Sequence, residues 1–353
     1  LSGMTADGLY AVTIPANAAV DQAGTGNTAA PFAVNVARDS SAPTVSVALA
    51  AGQVATTSAS TANFTVTFSE PVTGFTAAGM TITGPAGSTP TPVVTAVSPS
   101  TYSVALSGMT ADGLYAVTIP ANAAVDQAGT GNTVAPFAVK VARDTAPPTG
   151  ILALAPGQLD PASLTPLLFQ VTFSEPVTGF SAANVVVPGG EVVSSVGTVD
   201  PAQLVYDITI DTGATGGDIS LAINPTGVGD AAGNALSPVT VVDDTIAFDR
   251  SLPYVSIAQA LTQVDPASGS YVLFTVQFSE PVFGFSASDV SLGGTANPTT
   301  STITQIDART WDVAVSGMSG DGTVIASIPS GVAADALGNN NADRKSTRLN
   351  SSH

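Results

Sequence analysis

The sequence predicts an all-β chain of tandem immunoglobulin-like β-sandwich domains, about seven strands each, in an elongated array. Three observations carry that expectation. One pattern of residues recurs along the chain at a spacing of 105 residues. Short segments alternate apolar and polar residues, and Gly, Pro, Asn and Asp separate them. No stretch shows helical periodicity over a useful length.

The repeat sets the domain boundaries. Residues 1–38 recur at 106–143 with two differences, Ala29/Val134 and Asn35/Lys140. The string Phe-Ser-Glu-Pro-Val occurs at Phe68–Val72, Phe173–Val177 and Phe278–Val282. A turn of the form Asp-x-Ala-Gly, followed shortly by Asn, begins at Asp21 and Asp126, with degenerate copies from Asp230 and Asp335. Junction prolines recur at Pro43, Pro148 and Pro253. Residues 42–146 and 147–251 are then whole repeats. Residues 1–41 are the C-terminal part of a truncated one, and 252–342 is a repeat lacking its last strand. The final stretch, DRKSTRLNSSH (343–353), matches nothing in the repeat and looks like the in-frame translation of a sequencing adapter. It holds Arg344, Lys345, Arg348 and the only histidine, His353, and is read as a non-native tail. On this reading the last repeat has an open strand edge. The strand carrying Phe32, Val34 and Val36 in one molecule would complete the last domain of another.

Within 42–146 the strands follow in order. Val45–Leu49 alternates, and Phe64–Phe68 puts Phe64, Val66 and Phe68 on one face. Met80–Thr83, Pro92–Val97, Tyr102–Leu106, Leu114–Ile119 and Pro136–Val141 complete the set of seven. There is no Cys-Trp-Cys core, because the chain has no cysteine. Trp311 falls where Tyr102 and Tyr206 fall, which reads as a core or strand-face aromatic.

Composition removes several function classes. A formal net charge of −18 repels nucleic acid and anionic lipid, both of which call for Lys and Arg. No apolar run is long enough to span a bilayer. Without cysteine, and with histidine only in the tail, thiol chemistry, imidazole zinc sites and His-based hydrolase triads are excluded. No Gly-rich phosphate loop opens a helix. The acidic positions recur in every repeat, as structural features do, whereas a catalytic site normally occurs once. The expectation is a chain that is not an enzyme.

The residues FSEPVTGF at Phe68–Phe75 and Phe173–Phe180, FSEPVFGF at Phe278–Phe285, a Tyr or Trp strand and a closing Asp-x-x-Gly-Asn turn resemble a family of bacterial Ig-like tandem repeats. Such repeats occur in large surface-exposed proteins and adhesins. The resemblance covers residues up to about Ala342. It implies the sandwich fold and an extracellular or cell-surface setting, reached by secretion, and no particular ligand.

Strand parity places the recurring acids. Alternate strands run in opposite directions, so the incoming linker, the loop after the second strand and the loop before the last strand share one end of a domain. That end would gather Asp39, Glu70 and Asp126 in one repeat, Asp144, Glu175 and Asp230 in the next, and Asp249, Glu280 and Asp335 in the third. The T-A-D-G turn of the preceding repeat faces the same end, which adds Asp7 to the first set and Asp112 to the second. Asp218 occupies a less regular counterpart for the third. Converging carboxylates without Lys or Arg repel one another, and Ca²⁺ resolves this with its 6–8 oxygen ligands. Two readings stand at this point: a calcium clamp between domains, or turn chemistry, since Asp and Asn favour tight turns. Arg38, Arg143 and Arg250 beside the linker acids offer ion pairing as a further outlet.

The functional expectation is a non-catalytic stalk or spacer of a large bacterial surface or secreted protein, whose first partners are the neighbouring repeats. The alternatives are an adhesin module that binds a glycan or host protein, and a spacer of a secreted polysaccharide-degrading enzyme. Aromatic residues are only 6% and fall mostly within strand patterns, which favours the stalk.

Overall fold

The computed structural model describes residues 1–29 and 33–342 and the backbone of 349–352. Phe32 therefore lies outside the described residues, as do Arg344, Lys345, Arg348 and His353. The chain divides into two compact units. The first is Leu1–Pro148 with Val228–Leu236, and the second is Thr149–Gly227 with Ser237–His353.

In the first unit, β1 (Gly8–Val12) and β2 (Val34–Arg38) form an antiparallel pair. A complete sandwich follows, made of β3 (Val45–Leu49), β4 (Thr56–Thr57), β5 (Ala62–Phe68), β6 (Thr81–Thr83), β7 (Thr91–Ser98), β8 (Thr101–Ser107), β9 (Gly113–Thr118) and β10 (Val139–Arg143). One sheet has the order β3-β5-β8-β7, the other β4-β10-β9-β6. This is the strand order of an immunoglobulin-like domain, with an extra short strand, β4, paired parallel to β10. Nothing alternates at Thr56–Thr57, so sequence pattern alone misses β4. The last strand begins at Val139 rather than Pro136, since proline has no N–H for the ladder and Phe137 points into solvent, 80% exposed.

The alternation expected for β5 is observed: Ala62, Phe64, Val66 and Phe68 are buried, with more exposed residues between them. They join Val104 and Leu106 of β8, Tyr115 and Val117 of β9 and Val141 of β10 in one core. Each fully buried Val, Leu or Phe contributes roughly 1.5–3 kcal/mol, which is what holds so short a set of strands together.

The second unit carries β11 (Gly150–Leu154), β12 (Leu167–Phe173), β13 (Val185–Val186), β14 (Val192–Thr198), β15 (Val205–Asp211), β16 (Gly216–Ser220), β17 (Ala222–Ile223), β18 (Thr240–Val241) and β19 (Thr245–Asp249). Their sheets are β14-β15-β12-β11-β18, β13-β17 and β16-β19. The chain then builds β20 (Val255–Gln259), β21 (Tyr271–Phe278), β22 (Ser291–Gly293), β23 (Thr300–Gln305), β24 (Thr310–Ser316), β25 (Thr323–Ser327) and β26 (Leu349–Ser352), in sheets β20-β21-β24-β23 and β22-β25-β26. Among the described residues the helical content is confined to single 3₁₀ turns such as Ala77–Gly79. Among the described residues no helix is long and apolar enough to cross a membrane.

The edge expected to stand open beside β25 is occupied. The backbone of β26 pairs antiparallel with β25, in register from Thr323↔Ser352 to Ala326↔Leu349. This is the side of the sheet that β10 occupies beside β9. The reason is general: an unpaired edge presents a row of N–H and C=O groups and accepts an extended segment from its own chain.

Three aromatic clusters explain the eight-residue motif. Phe68, Phe75 and Tyr102 meet edge to face, with centroids 5.3, 5.9 and 5.1 Å apart. Phe173, Phe180 and Tyr206 repeat this arrangement, and Phe278, Phe285 and Trp311 do so again. Trp311 is thus a core residue. The Tyr102 hydroxyl donates to the Val72 carbonyl at 3.0 Å. Gly74, Gly179 and Gly284 have φ of 82°, 83° and 87°, the left-handed region where a side chain is strained, so the motif turns back on its second Phe only through glycine.

Candidate metal site

The motif also fixes the start of each domain. The Ser69 hydroxyl accepts the Thr44 N–H at 3.0 Å, and the Ser69 N–H donates to the Thr44 carbonyl at 2.9 Å. Ser174 holds the Thr149 N–H and Ser279 the Tyr254 N–H in the same way. Glu70 and Glu280, which follow Ser69 and Ser279, are thereby set beside their incoming linkers. The linker aspartates are ordered by Asx turns. Asp39 accepts the Ser41 N–H, Asp144 that of Ala146 and Asp249 that of Ser251.

The third contributor is the Asp-x-x-Gly loop. Asp126 accepts the Thr130 N–H through Oδ1 at 2.8 Å, and the backbone closes between Asp126 and Thr130 around Gly129, whose φ is 86°. Asp335 does the same with Asn339 and Gly338. Backbone bonds between Thr73 and Val125 in the first unit, and between Phe283 and Ala334 in the second, tie this loop to the glutamate's loop.

The result is convergence. Asp39, Glu70 and Asp126 each bring a carboxylate oxygen within 4.8 Å of the others, and so do Asp249, Glu280 and Asp335. Two ligands of one Ca²⁺ at roughly 2.4 Å lie at most about 4.8 Å apart, so the spacing fits a hard cation with oxygen ligands. Of the remaining set, Asp144 and Asp230 belong to the first unit and Glu175 to the second. The electrostatics agree with the geometry. Desolvation raises the Glu70 pKa above the usual glutamate value, and the charges of Asp39 and Asp126 raise it further. Glu280 is raised in the same way, by desolvation and then by Asp249 and Asp335.

Asp7 and Asp112 lie outside these groups. Arg38 Nη1 donates to Asp7 Oδ1, and the Ser40 hydroxyl donates to the same carboxylate. Arg143 Nη1 donates to Asp112 Oδ1 at 2.6 Å, and the Thr145 hydroxyl donates to Asp112 Oδ2 at 2.8 Å. The hydrogen bond from Thr145, more than the Arg143 charge, holds the Asp112 carboxyl below the usual aspartate range. Strand parity places these turns at the proper end, but the arginines engage them first. The arginines therefore do not pair with the linker acids Asp39 and Asp144. These latches grip the linker as it leaves β2 and β10. Asp218 lies in β16, opposite Ala247, and there the backbone N–H of Arg250 donates to the Thr215 carbonyl instead.

Sequence reading treats the asparagine after the loop glycine as one feature, whereas the structure shows two. Asn132 and Asn341, six residues past the aspartate, are buried staples of their own loop. Asn341 accepts the Val332 and Ala333 N–H groups and donates to the Pro329 carbonyl. Asn234 and Asn339, four residues past it, reach the preceding linker, bonding the carbonyls of Asp144 and Asp249 respectively. The difference between Asp-x-x-Gly-Thr-x-Asn and Asp-x-x-Gly-Asn is the signal that separates them.

No family model matches the chain, and no curated protein matches it. Among solved structures, the chain is similar to FdeC, an Escherichia coli adhesin, at 14% identity over 89% of this chain and 97% of that one, with a TM-score of 0.37. Yersinia pseudotuberculosis InvD is similar at 13% identity over 88% and 96%, also with a TM-score of 0.37. Invasin, a bacterial integrin-binding protein, is similar at 16% identity over 81% of this chain and 56% of that one, with a TM-score of 0.33. These are likenesses of fold.

Proposed function

We propose that the chain is a non-catalytic spacer of a bacterial surface or secreted protein, whose domain junctions are stiffened by a divalent cation, with Ca²⁺ the best match. The observation that supports this reading is the convergence of linker, glutamate-loop and aspartate-loop carboxylates in both units, with no basic side chain joined to them by an ion pair among the described residues. Each linker involved is also hydrogen-bonded from the domain that follows it, which suits a joint that resists bending. Thiol and imidazole chemistry are absent by type, since the chain has no cysteine and its one histidine is in the tail, and the carboxylates recur from repeat to repeat as structural groups do.

Thermal melting of the full chain with Ca²⁺ and with chelator tests the cation. At ~1 mM over a site of ~10 μM, mass action adds about 2.7 kcal/mol to the folded state. Superimposable melting curves would refute the stiffened joint.

A further inference from the structure

We infer that the residue four positions past the loop aspartate decides how far a junction depends on a divalent cation: asparagine supplies a protein contact that weakens the cation site, and threonine at 130 leaves the junction to the cation. This rests on the cation reading proposed above and goes further by ranking the sites.

The contrast lies in one carboxylate oxygen. In the copy at 335, Asn339 Nδ2 donates to Asp335 Oδ2 at 2.8 Å and to the Asp249 carbonyl at 3.1 Å. In the copy at 230, Asn234 Nδ2 donates to Asp230 Oδ2 at 2.8 Å and to the Asp144 carbonyl at 3.1 Å. One amide thus satisfies the loop carboxylate and hooks the loop to the preceding linker. In the copy at 126 the residue is Thr130, which carries no amide. Asp126 is as buried as its counterparts, at 4% exposure, yet its Oδ2 is out of contact with solvent and has no hydrogen-bond partner among the described residues. A buried anionic oxygen without a donor is strongly unfavourable. Asp126 also stands with Asp39 and Glu70, two more carboxylates. A cation supplies what the amide supplies elsewhere: it neutralises Oδ2 and ties loop to linker through Asp39. Conversely, an asparagine N–H already on Oδ2 competes with a cation for that oxygen and places a positive dipole beside it. The strongest cation site is therefore Asp39–Glu70–Asp126, and the site at Asp249–Glu280–Asp335 is weaker.

Calorimetric titration of the full chain with Ca²⁺ tests this, using wild type, Asp126→Asn, Thr130→Asn and Asn339→Thr. Thr130→Asn installs the residue that the copies at 230 and 335 carry, so it is compatible with the loop. Circular dichroism of each variant confirms that the strands are retained. The tightest binding event should vanish in Asp126→Asn and weaken at least about tenfold in Thr130→Asn, the worth of one hydrogen bond to a charged group. Asn339→Thr should strengthen a weaker event. Absence of any Ca²⁺ binding to wild type would overturn the cation reading itself. Binding that persists unchanged in both Asp126→Asn and Thr130→Asn would overturn the ranking while leaving that reading in place.

Discussion

Replacing Asn341 by Ala should unfold the third sandwich at markedly lower denaturant than wild type. Asn341 is 2% exposed. Its side chain accepts the Val332 N–H at 2.9 Å and the Ala333 N–H at 3.0 Å, and donates to the Pro329 carbonyl at 2.9 Å. Removing it deletes three hydrogen bonds and strands two backbone donors in a loop too tight to rearrange. At roughly 1 kcal/mol per bond, the loss is about 3 kcal/mol, a large share of the roughly 5–15 kcal/mol that holds a domain folded. With a urea dependence of about 1–3 kcal/mol per molar, the midpoint falls by roughly 1–3 M. The assay has a built-in reporter, since Trp311 is the only tryptophan, is buried, and sits in the aromatic cluster of this domain. Its fluorescence follows this sandwich alone. Asn132→Ala, the same lesion in the first sandwich, serves as the control and should leave the Trp311 transition in place. A midpoint lowered by less than about 0.3 M in Asn341→Ala would show that the loop does not depend on its staple.

Two further outcomes follow from the same contacts. Gly284→Ala meets no atom within 4 Å but must adopt φ of 87°, so it should cost about 1–2 kcal/mol by backbone strain alone, read from the Trp311 transition. Asp112 has a folded pKa below its unfolded value, so its contribution is present above the ordinary aspartate range, near pH 3.9, and is lost as pH falls through the folded value. Wild type should therefore melt higher than Asp112→Asn at neutral pH, and the gap should close below about pH 4. A gap that stays constant with pH would show that the latch is not the source.

The sandwich was legible because its strands obey the simplest rule available. Phe64, Val66 and Phe68 alternate, and that alternation has one meaning when a sheet has one buried face. The motif glutamates and loop aspartates were legible because parity alone decides which loops share an end. What pattern could not supply was competition. Asp7 and Asp112 reach the expected end of the domain but lie within bonding distance of the Ser40 and Thr145 hydroxyls and of Arg38 and Arg143, and these near partners hold them. The two asparagine positions were merged because the loops read alike until hydrogen bonds distinguish them. In the middle repeat Leu236 stands where Asn132 and Asn341 stand elsewhere, while the buried Asn184 donates to the Asn224 and Thr226 carbonyls. A polar staple supplied from a different element leaves no mark on the aligned loop.

The parallel pairing of β4 with β10 has a mechanical consequence. Ala142 and Arg143 face Thr56 and Thr57, and the N–H groups of Ala142 and Asp144 donate to the carbonyls of Ala55 and Thr57. The chain enters the sandwich through β3 and β4 and leaves it through β10. Tension applied at its two ends therefore drives these strands past one another along their length. Bonds loaded that way share the force and must give together, whereas a hairpin pulled open from its free end loses them one at a time. A domain laced in this geometry meets such a load with both of these bonds at once.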